Sequence, residues 1–143
     1  MASFVYTEAK RALLAGDLDL NAHDIRVMLV DSTTTADTEE DATTISGITT
    51  LGELSGTGYA RVALANEAVA ADNTNDRGEF DADDAAWTGI DAGTAQAAVV
   101  FRHVTNDTDS VPIAYIDTGG FPIVTNGGNL TIQWNAEGIL QLT

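Results

Sequence analysis

The sequence predicts a mainly β protein of α+β type, with an N-terminal helix followed by an antiparallel β-sandwich or barrel-like domain of about seven strands. Three observations carry this expectation. A single helix-periodic segment opens the chain, and short apolar or alternating runs follow, parted by turns rich in Gly, Asn and Asp. No βαβ alternation is present. With 143 residues, 44% of them apolar, the chain can bury a core and is too apolar for a disordered segment. One domain over residues 1–143 is expected, without internal repeat or linker.

The first element is a helix over Ser3–Ala15. Ser3 stands as its N-cap, Ala, Leu, Glu, Lys and Arg fill it, and Gly16 stands at C′. Val5, Ala9 and Leu13 follow i, i+4 spacing and should face the core, with Phe4 beside them. Asp24–Asp31 reads as a strand buried on both faces, because Ile25-Arg26-Val27-Met28-Leu29-Val30 is apolar at all but one position. Residues 32–47, rich in Thr, Asp and Glu, read as a long surface loop, with a helical turn possible near Thr38–Ala42.

Strands then follow in quick succession. Tyr59–Asn66 comes after a flexible Ser55-Gly56-Thr57-Gly58, and Glu67–Ala71 is read as its continuation past a kink. Residues 72–78 form a polar turn, and Asp81–Asp84 forms a second one between Glu79–Phe80 and Ala86–Thr88. Ala95–Thr105 and Pro112–Asp117 are strong strands. Phe121–Val124 is a short segment between two Gly pairs. Asn129–Asn135 alternates, with Leu130, Ile132 and Trp134 on one face. Ile139–Leu142 closes the chain.

Composition narrows the function. Cysteine is absent, which removes disulfides, thiolate metal sites and a cysteine nucleophile. Twenty-two Asp and Glu stand against 6 Lys and Arg, a net charge of −16. Such a chain is repelled by nucleic acid and by anionic lipid, so neither is expected as a partner. The acidity fits solubility, a salty habitat or docking onto a basic surface. No apolar run reaches the roughly 20 residues of a membrane span. The N-terminus lacks the basic and apolar regions of a signal peptide.

No catalytic constellation is legible, and no enzyme activity and no cofactor are expected. His23 and His103 are the two histidines, each beside a strand, and read as ordinary surface or strand-end residues. Leu54-Ser55-Gly56-Thr57-Gly58 lacks the strand-to-helix context of a nucleophile elbow. No phosphate-binding glycine motif occurs. The carboxylates cluster in loops, not at a recognisable cleft, which disfavours a glycosidase pair. Calcium is the one metal worth weighing, at Asp72, Asp76, Asp81 and Asp83, since it takes oxygen ligands from such loops. Against it, Arg77 stands where an EF-hand has its sixth-position glycine, and an acidic hairpin loop with Asx turns explains the same residues. Trp87 and Trp134 read as core residues.

Four segments appear in order: Asp24-Ile25-Arg26-Val27-Met28-Leu29-Val30-Asp31, Leu54-Ser55-Gly56-Thr57-Gly58-Tyr59, Asp81-Ala82-Asp83-Asp84-Ala85-Ala86-Trp87, and the run from Asn126-Gly127-Gly128 through Trp134 to Leu140. As a set they resemble the small virion structural proteins of tailed bacteriophages, over nearly the whole chain. The resemblance implies a β-rich subunit of the virion, assembled in the host cytoplasm, whose partners are the major capsid protein or other virion proteins. A capsid decoration (cement) protein that clamps the shell, often as a homotrimer, is the favoured role. A tail, neck or fibre component is the alternative, and a calcium- or carbohydrate-binding adhesion module a more distant one. The helix and residues 32–47 are candidates for contact with neighbours, or else cover this subunit's own core.

Overall fold

The nearly all-apolar run Ile25–Val30 becomes an inner strand of the main sheet. In the computed structural model, which describes residues 2–143, strand β2 (Ile25–Val30) lies inside a five-stranded antiparallel sheet ordered β1-β9-β8-β2-β3. Its neighbours are β8 (Ala97–Arg102), paired from Ile25↔Arg102 to Val30↔Ala97, and the short β3 (Val62–Ala63). β9 (Val111–Ile116) pairs with β8 across a register shift at Val100/Phe101. Every residue of β2 but Arg26 is buried, so both faces are covered as its composition requires.

The N-terminus departs from expectation. Phe4–Val5 is a strand, β1, on the outer edge of β9, and the helix α1 starts only at Thr7 and runs to Ala15. Aromatic and β-branched residues favour the pleated conformation, and stacking of Phe4 on Tyr115, with ring centroids 5.4 Å apart, holds them there. Ser3 therefore does not cap the helix. Its hydroxyl bonds the Asp117 carboxylate and accepts the Asp117 N–H at 3.2 Å. The N-cap position falls to Tyr6, which offers no side-chain cap. Val5 leaves the helix for the sheet, and Ala9 and Ala12 are the helix residues that are buried. The other end is as expected: Gly16 takes the left-handed conformation at φ 75°, and its N–H and that of Asp17 reach back to Leu13 and Ala12.

Residues 32–47 do more than cross the surface. Ala36, Ala42 and Ile45 are buried, and the only helical piece is a 3-10 turn at Ile45–Gly47, not at Thr38–Ala42. Tyr6 Oη donates to the Ala36 carbonyl at 2.8 Å, and the Glu39 carboxylate accepts from Thr35 and Thr49. This segment covers the protein's own core.

Glu67–Ala71 is not a continuation of the preceding strand. Asn66 turns the chain at φ 54°, and β4 (Ala68–Asp72) instead forms a hairpin with β5 (Arg77–Asp81). The final strand β12 (Leu140–Leu142) joins the other side of β5, giving a second sheet ordered β12-β5-β4. The remaining pairs are small: β6 (Ala85–Trp87) with β11 (Leu130–Ile132), and β7 (Thr94–Ala95) with β10 (Ile123–Val124). Twelve strands are thus present among the described residues, four of them only two residues long. The sequence reading of about seven merges or omits these short pieces. The architecture is mainly β, with one α-helix and several antiparallel sheets around one hydrophobic cluster.

The supposedly flexible Ser55–Gly58 stretch is held in place. Thr57 bridges Asp91, and Gly58, at φ 73°, packs so closely on the Gly89 carbonyl that a Cβ has no room.

Candidate functional site

Asp72 and Asp83 give their carboxylates to local structure, whereas Asp81 Oδ1 is buried without a hydrogen-bond partner. Asp72 Oδ1 accepts from the backbone N–H of Thr74 and Asn75, closing the β4–β5 hairpin, and its Oδ2 accepts from the Asn75 amide. These bonds, led by that from the Asn75 side chain, hold the Asp72 carboxyl below its ordinary range. Arg77 faces Asp72, Glu79 and Glu137. Asp76 sits in the left-handed region at φ 54°, Asp81 ends β5, and Asp83 accepts from the Asn66 amide at 2.6 Å. Asp72, Asp76, Asp81 and Asp83 do not converge, and no group of three or more acids or histidines among the described residues is placed to hold a metal ion. The Asx turn expected of this segment is formed at Asp72.

The second acidic turn anchors a tryptophan. Asp84 accepts the Trp134 backbone N–H at 3.0 Å, and the Asp83 carbonyl accepts the Trp134 indole N–H at 2.9 Å. Trp87 donates to the Ala60 carbonyl. Both rings are buried, as expected. His23 Nδ1 accepts the Asp19 N–H, whereas the His103 ring lies edge-on to Phe101 with its Nδ1 buried and without a hydrogen-bond partner.

One polar cluster escaped sequence reading. Arg61 makes four hydrogen bonds to two carboxylates, two to Glu53 and two to Asp107, and its guanidinium lies 5.2 Å from the centroid of the Phe101 ring. Tyr59 Oη donates to Glu53 at 2.8 Å and accepts the Leu29 N–H at 3.1 Å. Burial, then the Glu53 charge, pushes the Tyr59 phenol up. The Arg61 bonds hold the Asp107 carboxyl low. The residues span 54 positions of sequence, and no local motif marks them. The cluster ties the β8–β9 loop to the far edge of the five-stranded sheet, with one guanidinium shared between two carboxylates.

The surface feature without an internal use is apolar. A groove of about 370 Å³ runs between the C-terminal end of α1, with the loop that follows it, and the three-stranded sheet. Leu13, Leu18 and Leu20 line one wall, and Val69, Phe80 and Leu140 the other. Leu142 stands at its rim, and also borders a smaller hollow with Lys10, Leu13 and Leu14. Leu14 is 91% exposed, Leu142 55% and Val69 51%. Helix periodicity marks Leu13 as a core residue but says nothing of Leu14, because the groove exists only once β12 and β4 are brought beside the helix. No helix among the described residues is long and apolar enough to cross a membrane. Comparison with family models, with curated proteins and with solved structures returned no match.

Proposed function

We propose that this chain is a structural component of a tailed-phage virion, a capsid decoration protein that stabilises the major capsid shell through protein–protein contacts. The observation that carries the reading is the apolar groove with its exposed rim. A subunit with net charge −16 that keeps Leu14, Leu142 and Val69 in water has a surface suited to burial against a neighbour. The ordered likeness of its four sequence segments to small virion proteins supports the class. Within this reading the sheets stack as a sandwich or barrel-like unit, and the subunit assembles as a trimer on the capsid surface.

Quantitative mass spectrometry of purified particles tests the proposal. Copy numbers comparable to those of the major capsid protein are expected. A few copies per particle would move the chain to the tail, neck or fibres, and its absence from mature particles would end the reading.

A further inference from the structure

We propose that the free edge of β4 receives an extended basic segment of a partner protein as an added strand. The inference rests on the assembly reading above and names the chemistry of one partner. β4 is the last strand of its sheet, and Ala68, Val69, Ala70 and Ala71 are exposed. Exposed edges are usually protected by lysine, proline or a bulge, because their unpaired N–H and C=O groups template another strand. The Ala-Val-Ala-Ala edge carries none of these devices.

The two faces of the hairpin specify what fits. Val69 pairs with Phe80, which pairs with Leu140, so the three share the face that walls the groove. An added strand would lay every second side chain beside Val69 and extend that apolar wall. On the opposite face, Ala68 stands opposite Asp81, whose Oδ1 is buried, and Ala70 opposite Glu79, whose Oε1 already accepts from Arg77, so an added cation would meet the remaining oxygen of each carboxylate. Alanine ends at Cβ, so a cationic side chain on the added strand reaches over it. The distance is two strand spacings, about 10 Å, which a lysine or arginine and a carboxylate side chain span between them. Alternating apolar and basic residues are therefore the complement of this edge.

Charge decides between occupants. From Glu67 to Asp84 seven carboxylates face one guanidinium, Arg77, a net charge of −6. A second copy paired antiparallel about Ala70 would bring this charge against itself, and like charges across a strand pair are destabilising. A basic segment meets the opposite sign.

Titration of the intact protein with a synthetic peptide of alternating valine and lysine, followed by backbone amide resonances, tests the proposal. The largest shifts are expected at residues 68–72. A peptide of the same charge with two prolines in place of central valines should bind at least tenfold more weakly, as should alternating valine and glutamate. Ala70→Lys should weaken the valine–lysine peptide at least tenfold, whereas Ala70→Glu should not. Equal binding of the proline peptide would reduce the effect to bulk charge and overturn strand addition. Equal weakening by both Ala70 variants would overturn the charge rule, and concentration-dependent dimerisation through β4 would assign the edge to a second copy instead. A peptide that fails to bind overturns this inference alone, since the virion reading stands or falls on copy counting.

Discussion

Arg61 shows what a single residue contributes. Its side chain and that of Glu53 are each about one-fifth exposed, and it joins Glu53 to Asp107 from the face of Phe101. Removing it leaves two partly buried carboxylates without their cation. Arg61→Met should cost about 2 kcal/mol, below the roughly 3–5 kcal/mol of a fully buried pair because water screens this one. Chemical denaturation checks the value, and a loss under 0.5 kcal/mol, about the scale of an exposed pair, would mean the network is ornamental. The same contact sets a pH response. Hydrogen bonding to Arg61 lowers the Asp107 carboxyl in the folded state, so its contribution is full above the unfolded value of about 3.9 and is lost as pH falls through the folded value. The melting temperature of the wild type should therefore drop more steeply below about pH 4 than that of Asp107→Asn. Parallel curves would remove Asp107 from the acid response.

At the scale of elements, the β2–β8 pair is the part that the rest is built on. Phe101 is wholly buried on β8, next to the register shift with β9, and Val27, Met28 and Val99 are equally buried. Phe101→Ala should cost about 3–5 kcal/mol, the usual cost of a large cavity in a core, and the melt of this variant measures it. The Gly58 turn offers a contrasting test. A Cβ there meets the Gly89 carbonyl, and φ 73° disfavours any side chain, so Gly58→Ala should destabilise by about 1–3 kcal/mol although it removes no contact. Gly16→Ala, at a similar φ of 75° but with open space around its Cβ position, should cost less, about 1 kcal/mol. Equal losses at the two positions would show that close packing at Gly58 adds nothing to the strain.

On the proposed function, one surface of the whole molecule is buried against a neighbour. Leu14 and Leu142 contribute little to the protein's own core because water already reaches them. Replacing both by serine should leave stability within about 0.5 kcal/mol of the wild type, as for ordinary surface changes. On the proposed function, the same double variant should be lost from particles assembled in its presence, as read by protein composition after purification. Normal incorporation would show that the groove is not the contact surface. A net charge of −16 opposes self-association of the molecule by repulsion.

Residue pattern alone determined the mainly β class, the β2 strand, the alternation of Leu130, Ile132 and Trp134, the Gly16 helix end and the burial of both tryptophans. Each rests on local periodicity or backbone preference, which neighbouring residues in sequence suffice to specify. Tertiary structure decided the rest. Phe4 and Val5 joined a strand because Tyr115 and Ala114 lay beside them, and Glu67–Ala71 entered a different sheet because Asn66 turned the chain. The Arg61 cluster and the Leu13–Leu142 groove join segments far apart in sequence. Such sites are products of strand pairing, and pairing across long separations is set by the packing of the whole core, which leaves no trace in the spacing of any one segment.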